Sequence, residues 1–316
     1  MKLHEIARQA RALGIVMGEN SGNRERQEKL LEMLHFNSGN FYQEIEMDDP
    51  LVQTQEDIST TEDVVGLHSH VYYEIIFIRS GNLQYLIGTR RYRIQRGDIL
   101  LIAPGVSHRP LFLERLQEKY ARIVVWVSPA CVELLRAQWP DMAELNRLPC
   151  MLRTGDLPTD SIAAYEAAFR RGVREYTAAE PGWEAAVFAN TLQLFVSLRR
   201  DFGGGRVAQP AAEKRELLDE IMSYVEDHLA GHITLDDTAR HFHVSASTVS
   251  QLFRKRMGVS YYRFVTQRRL IAAKTLIKEG TALDTVAESV GFSDYSGFYR
   301  AFKQEYGISP TRFKTL

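Results

Sequence analysis

The sequence predicts an α+β protein of two domains, an antiparallel β-barrel with flanking helices followed by an all-α domain with two helix–turn–helix units. Three observations carry this reading. Short β-rich segments crowd residues 67 to 127, a glycine run interrupts the chain at 203 to 205, and beyond it two segments repeat one residue pattern. At 316 residues the chain is long for one domain. With 45% hydrophobic and 25% charged residues, it is neither disordered nor collagen-like. The apolar runs Ile75–Ile78 and Ile99–Ala103 fall far short of the roughly 18 residues that cross a bilayer, so no membrane partner is expected. The N-terminus, MKLHEIARQARALG, mixes charges where a signal peptide would be apolar, and a cytoplasmic location follows as the expectation. Cys131 and Cys150 are too few for a metal quartet or a disulfide framework.

In chain order, residues 1–40 read as a helical extension with Leu3, Ile6, Ala7, Ala10 and Leu13 on one face. Residues 41–128 hold the barrel, whose strands are HSHVYYEIIFI, LQYLI, RYRI, DILLI and RIVVWV. Residues 129–200 carry helical spacing, including Ser161–Tyr176 and Trp183–Arg200, and pack beside the barrel. The stretch 201–212, with Gly203, Gly204, Gly205 and Pro210, reads as a linker, and 213–316 form the helical domain. The run RRYRIQR, Arg90 to Arg96, reads as an exposed hairpin.

Net charge is −1, yet it is unevenly spread. Residues 1–212 hold 24 Lys and Arg against 27 Asp and Glu, whereas Thr238 to Lys278 contains nine basic residues and no acidic one. A one-sign stripe confined to one module is the footprint of a phosphate-binding surface. Near-neutral total charge argues against a non-specific architectural DNA binder.

Within that module Leu235 and Ala239 match Leu283 and Ala287 at an offset of 48, and Phe253, Gly258 and Ser260 match Phe302, Gly307 and Ser309 at 49. Each unit reads as helix, tight turn, helix, the arrangement that lays its second helix in the DNA major groove. Ala239 and Ala287 permit a close helix crossing, Gly291 suits the second turn and His243 or a neighbour serves in the first. Ser245 and Asp294 suit N-caps, and Gly258 and Gly307 C-terminal stops. Packing Val249, Leu252 and Phe253 inward presents Ser247, Ser250, Gln251 and Arg254. Packing Phe298, Ala301 and Phe302 inward presents Tyr295, Ser296, Tyr299, Arg300 and Lys303. Arg254, Lys255, Arg256 and Lys303 are placed to neutralise phosphates. Tyr261 to Lys278 reads as one helix of about 27 Å, close to the ~34 Å between successive major-groove faces.

These residues, with RRLIAAKTLI and VAESVGFSDYSGFYRAFKQEYGISPTRF, resemble the AraC/XylS family of bacterial transcription regulators over Glu216 to Lys314. The resemblance implies sequence-specific binding of double-stranded DNA, with Ser247, Ser250, Gln251, Tyr295, Ser296 and Arg300 reading bases. It also implies a homodimer, contact with RNA polymerase as an activator, and a small-molecule effector, a sugar or related metabolite. His243 departs from the small residue usual in the first turn.

His68, His70 and Glu74 share strand parity, and His108 follows in GDILLIAPGVSH. The two strings resemble the motifs of the cupin superfamily, departing at Ala103, where proline is usual. The resemblance implies that His68, His70, Glu74 and His108 either line an effector pocket or hold a divalent metal; no cofactor is otherwise required. With no further acid–base pair beside the histidines, an enzyme is not expected.

Overall fold

A computed structural model describes residues 47, 49–59, 66–112, 118–140, 148, 150–157, 161–202 and 216–315. The expected helical extension over 1–40 and most of the expected linker lie outside the described residues. Eight strands precede the helical half: β1 Val52–Ser59, β2 Tyr73–Ser80, β3 Leu83–Ile87, β4 Arg90–Ile94, β5 Asp98–Ile102, β6 His108–Leu111, β7 Tyr120–Val127 and β8 Met151–Arg153. They form a five-stranded sheet, β1-β7-β2-β5-β8, and a three-stranded sheet, β4-β3-β6, both antiparallel. The expected barrel is therefore open among the described residues, because the chain leaves the large sheet at Gly81 (φ 102°) and builds a separate layer with β3 and β4.

Strand alternation gives each sheet two jobs. On the large sheet Ile75, Phe77 and Val125 face helices α2 (Ser161–Ala178) and α3 (Trp183–Phe202), where Phe77 stacks on Phe169 at 5.1 Å and Phe195 and Leu198 close the layer. Ile76, Ile78, Val124 and Trp126 face inward against Tyr85, Ile87, Tyr92 and Ile94 of the small sheet. A short helix, α1 (Pro129–Gln138), is capped by Ser128 and buries Cys131 and Leu135 against the large sheet. Helix α3 runs two residues into the expected linker: Phe202 is buried and Tyr165 donates to Asp201 at 2.7 Å.

The C-terminal half is all helix: α4 Leu217–Asp227, α5 Leu235–His241, α6 Ala246–Met257, α7 Tyr261–Lys278, α8 Leu283–Ser289, α9 Tyr295–Tyr306 and α10 Pro310–Lys314. Two cores meet on α7. Tyr261, Phe264 and Val265 join Val249 and Phe253, and Leu270, Ala273 and Ile277 join Phe298 and Phe302.

The second turn makes a testable demand. A Cβ on Gly291 would sit 2.3 Å from the Leu229 carbonyl oxygen, at φ 88°, whereas Gly258 (φ 66°) has open space around it. Gly258→Ala should cost about 1 kcal/mol for the left-handed backbone, and Gly291→Ala about 3 kcal/mol or more because backbone must also move. Urea unfolding of both variants measures this, and equal costs would contradict it.

Candidate nucleic-acid interface and sensory site

The two reading heads are built by the same local bonds. In the first, Val244 N–H donates to Ala239 O at 3.0 Å. In the second, Phe292 N–H donates to Ala287 O at 3.0 Å. Ala239 and Ala287 are buried at the crossings. His243 takes φ 54° where Gly291 takes 88°, so a histidine supplies the left-handed turn of the first unit. The second unit's additional residue is Ser293, placed between the turn and the cap. Ser245 Oγ accepts from Thr248 N–H and Asp294 Oδ1 accepts from Gly297 N–H at 2.7 Å, and Gly258 and Gly307 end both recognition helices in the left-handed region. The Asp294 carboxyl lies below its usual range because that amide binds its charged form.

On α6, Ser247, Gln251, Arg254 and Lys255 are exposed and Ser250 is half-buried. On α9, Ser296, Arg300 and Lys303 are exposed, while Tyr295 and Tyr299 are half-buried. Tyr295 packs part of its ring on Phe298, 5.9 Å between centroids. Arg256 departs from the expected phosphate row: its Nη2 lies 3.3 Å from Glu216 Oε2. Further basic residues of the stripe hold the module together. Arg268 pairs with Glu226 at 2.6 Å, Arg263 pairs with Glu305, and Arg269 donates to Leu229 O and Gly231 O at 3.1 and 2.7 Å. Arg254 and Lys255 remain exposed and unpaired among the described residues.

Helix α7 spans 18 residues as expected, from its Ser260 cap to Lys278. It carries one head on each half, so their separation is set by a rigid rod of about 27 Å.

The sensory residues gather, though not on one strand. Strand β2 begins at Tyr73, and His68 and His70 precede it on a segment joined to β6 by a bridge between His68 and His108. His70 Nε2 and His108 Nε2 lie 3.3 and 2.9 Å from Glu74 Oε2. Candidate donor atoms of His68, Glu74 and His108 lie within 4.8 Å of one another. The register pairs Glu74 with Trp126, whose Nε1–H donates to Glu74 Oε1 at 2.8 Å and leaves Oε2 facing the rings.

Each imidazole Nδ1 meets a backbone carbonyl: His68 with Gly66 at 3.0 Å, His70 with Tyr72 at 2.8 Å and His108 with Val106 at 3.0 Å. A carbonyl only accepts, so this network assigns the proton to Nδ1 and a lone pair to Nε2 in the neutral rings. Lone pairs turned on a carboxylate repel unless a cation lies among them, and His108 Nε2 is fully buried without an in-line hydrogen bond. The imidazoles of His68 and His108, each oriented by its other nitrogen, and the Glu74 carboxylate form a donor set that fits a divalent transition ion, while His70 stands beside it at Glu74 Oε2. Burial and the neighbouring His108 push His68 well below its usual value. With no ion present, only rings protonated at Nε2 as well could donate to Glu74; burial would raise its carboxyl, but hydrogen bonds from His108 and His70 in that form outweigh it and hold the carboxyl well below the carboxylate range. Tyr72 stacks on His70 at 4.0 Å. A cavity of about 190 Å³ opens beside Glu74 between Ile87, Ile102, Ala103, Val106 and Cys150. Ala103, the departure noted in the sequence, lines this cavity.

Two contacts between the halves escape sequence reasoning. Arg91, in the run read as an exposed hairpin, is buried against Asp219 of α4. Lys274, read as part of the cation stripe, is 5% exposed; its Nζ donates to Ser69 O at 3.4 Å, between the two histidines, and lies 5.1 Å from the Tyr306 ring. Nothing in the residue pattern distinguishes either from a solvated neighbour.

Two helix–turn–helix heads on a rigid rod, attached to a double-sheet domain with a polar buried site, define a DNA-binding regulator with a ligand-binding domain. An AraC-like ligand binding domain matches residues 54–164, and a helix-turn-helix domain matches 238–315. The HTH-type transcriptional regulator YfiF of Bacillus subtilis is 27% identical over 261 residues, 79% of each chain. The HTH-type transcriptional activator RhaS of Salmonella arizonae is 24% identical over 250 residues, 77% of this chain and 85% of that protein. Wild-type ToxT of Vibrio cholerae with bound unsaturated fatty acid, 14% identical, aligns with 85% of this chain and 96% of its own at a TM-score of 0.35. The chain belongs to the AraC-type transcriptional regulators: it binds DNA through its C-terminal domain and a small-molecule effector through its N-terminal one. No helix among the described residues is long and apolar enough to cross a membrane.

Burial and the neighbouring Lys278 push the Lys274 ammonium down to about 7. Unfolded lysine titrates near pH ~10.4, so between about pH 7 and 10 the unfolded chain holds a proton that the folded one releases. Stability relative to Lys274→Met should therefore rise with pH across that window and level off below about 7. Urea melts at stepped pH measure the difference; a flat or falling difference contradicts it.

Proposed function

We propose that this regulator controls transcription by reading an asymmetric site across two successive major-groove turns, under control of a small molecule bound beside Glu74. The carrying observation is the pair of capped recognition helices with exposed polar faces, held at fixed separation by α7. Ser247, Ser250, Gln251, Tyr295, Ser296 and Arg300 read bases, with Arg300 and Gln251 able to fork onto purine edges. Arg254, Lys255 and Lys303 neutralise phosphates, while Arg256 is shared with Glu216.

The effector occupies the cavity beside Glu74, its apolar part against Ile87, Ile102 and Val106 and its polar part toward the Glu74 carboxylate. A sugar or related metabolite is the class to screen first. His68, Glu74 and His108, with His70 beside them, would hold a divalent transition ion, which would relieve the facing lone pairs. The protein works as a cytoplasmic homodimer that recruits RNA polymerase as an activator, and not as an enzyme. The relatives named as a transcriptional regulator and a transcriptional activator support the regulatory part of that reading.

Two substitutions test the DNA assignment. Arg300→Ala should cost about 1–3 kcal/mol and relax preference at one position of one half-site, whereas Lys255→Ala should weaken all sequences alike and lower the salt slope by about 1. Equal, sequence-independent losses would exclude the base-reading role. For the ion, elemental analysis after metal-replete purification should give close to one equivalent per chain, lost in Glu74→Gln; a stoichiometry near zero removes the metal.

A further inference from the structure

Strand β4 turns Tyr92 and Ile94 toward the sensory core and Arg91 the other way, toward α4, where its side chain is 1% exposed. Its Nε and Nη2 donate to Asp219 Oδ1 and Oδ2 at 2.8 and 2.9 Å, a two-pronged fork, and Nη1 donates to Gln84 Oε1 at 3.2 Å. Nη2 also lies 3.2 Å from Glu216 Oε2, the oxygen that meets Arg256 Nη2 at 3.3 Å. A chain of alternating charges thus runs from the sensory sheet, through the start of α4, to the last turn of the first recognition helix. Leu86 and Leu111 from the sheet share one hydrophobic core with Leu218 and Ile221 of α4 and Val249 and Phe253 of α6.

We propose that Arg91 is an interdomain latch and that the latched arrangement is the one competent to bind DNA, an inference that rests on the DNA-binding reading and adds how the sensory domain governs it. Charge decides the direction. When latched, Arg91 and Arg256 balance Asp219 and Glu216. When released, the DNA-binding module keeps both carboxylates and only one guanidinium. The excess negative charge then stands at the end of α6 beside Arg254 and Lys255, where it opposes the approach of phosphates. Steric exclusion does not counter this, since Ser247, Gln251, Arg254 and Lys255 are exposed in the latched form. The fork also fixes one orientation, because two parallel bonds to one carboxylate allow little rotation of the sheet against α4. A ligand that favours separation of the sheet from α4 lowers DNA affinity without touching a DNA contact, and one that favours the latched form raises it.

The test uses the full chain and a duplex recovered from a random pool by selection on that chain, with affinity read by fluorescence anisotropy. Arg91→Met should bind about fivefold more weakly at low salt, with the difference shrinking as salt rises. Arg91→Met combined with Asp219→Asn removes one charge of each sign and keeps a capping oxygen for α4, so it should return to within about twofold of the parent. Unchanged or tighter binding by Arg91→Met overturns the latch, tighter binding making the contact a brake; failure of the double variant to recover overturns the charge argument. If circular dichroism shows Arg91→Met unfolded, Arg91→Lys carries the test, since it keeps the charge and loses the fork. A measurable loss in Arg91→Lys supports the latch and unchanged affinity overturns it. A parent chain that prefers no duplex over random polymer sinks the DNA-binding reading and the latch with it, whereas a preference that Arg91→Met leaves intact sinks the latch alone.

Discussion

Helix α7 buries more than half of its residues between α4, α6, α9 and the sensory domain, leaving Tyr262, Arg263, Thr275 and Lys278 exposed, and the arrangement of both heads follows from that one constraint. The polar side chains on its buried faces cannot be left to water, and they find partners in the elements that cover them. Gln267 Nε2 donates to Glu305 of α9 at 3.1 Å, Arg268 bonds to Glu226 of α4, and Lys274 reaches Ser69 of the sensory domain. Three buried polar groups therefore orient three different neighbours. Apolar replacements could hold the same layers together, but they would specify their rotation less sharply, because dispersion is non-directional and hydrogen bonds are not. The spacing of two DNA-reading helices demands directional control, since a rotation of either about α7 would move its polar face out of the groove.

The same logic explains why the cation stripe in the sequence overstated the charge available to DNA. Five of its nine basic residues are tied to other elements of the protein, Arg256 to Glu216, Arg263 to Glu305, Arg268 to Glu226, Arg269 to backbone carbonyls and Lys274 to Ser69, while Arg240 meets Asp237 in an exposed surface pair. Their acidic partners come from outside the window, and a count along the chain cannot see them. Arg269 illustrates the point, because its guanidinium bonds the carbonyls of Leu229 and Gly231 beyond the end of α4. An arginine in that role stabilises a helix terminus and brings no phosphate contact.

Legibility followed the range of the forces involved. Caps, left-handed turns and the 18-residue helix rest on neighbours within a few residues, so Ser245, Asp294, Gly258, Gly307 and Gly291 could be placed from spacing. The convergence of His68, His70, Glu74 and His108 was also legible, through resemblance and parity, although the histidines stand ahead of the strand and reach Glu74 by a bridge to β6. What was not legible depends on long-range pairing. Arg91 sits in RRYRIQR, whose alternation gives a two-sided strand but does not tell whether the second side meets water or protein. Strand closure failed for a related reason: β3 and β4 have a barrel's composition, and only their register separates them into a second sheet.

That second sheet changes how a signal can travel. Its inner face carries Ile87, which borders the cavity, and Tyr85, which stacks near His108. Its outer face carries Leu86 and Gln84, which touch the DNA-binding half directly or through Arg91. Successive residues of β3 thus face the cavity beside Glu74 and α4, one strand thickness apart. A closed barrel would have spread a change in its interior around a continuous hydrogen-bonded ring, whereas an open three-stranded layer is tied to the large sheet mainly by side chains and can shift against it as a unit. Ligand-induced movement of this layer by even a fraction of the ~5 Å between strands would move both prongs of the Arg91 fork, whose geometry tolerates far less displacement than the apolar contacts around it. The small sheet is thus one of two polar routes between the halves, the other being Lys274 to Ser69, and the Arg91 fork is the more directional of the two because it makes two parallel bonds to one carboxylate.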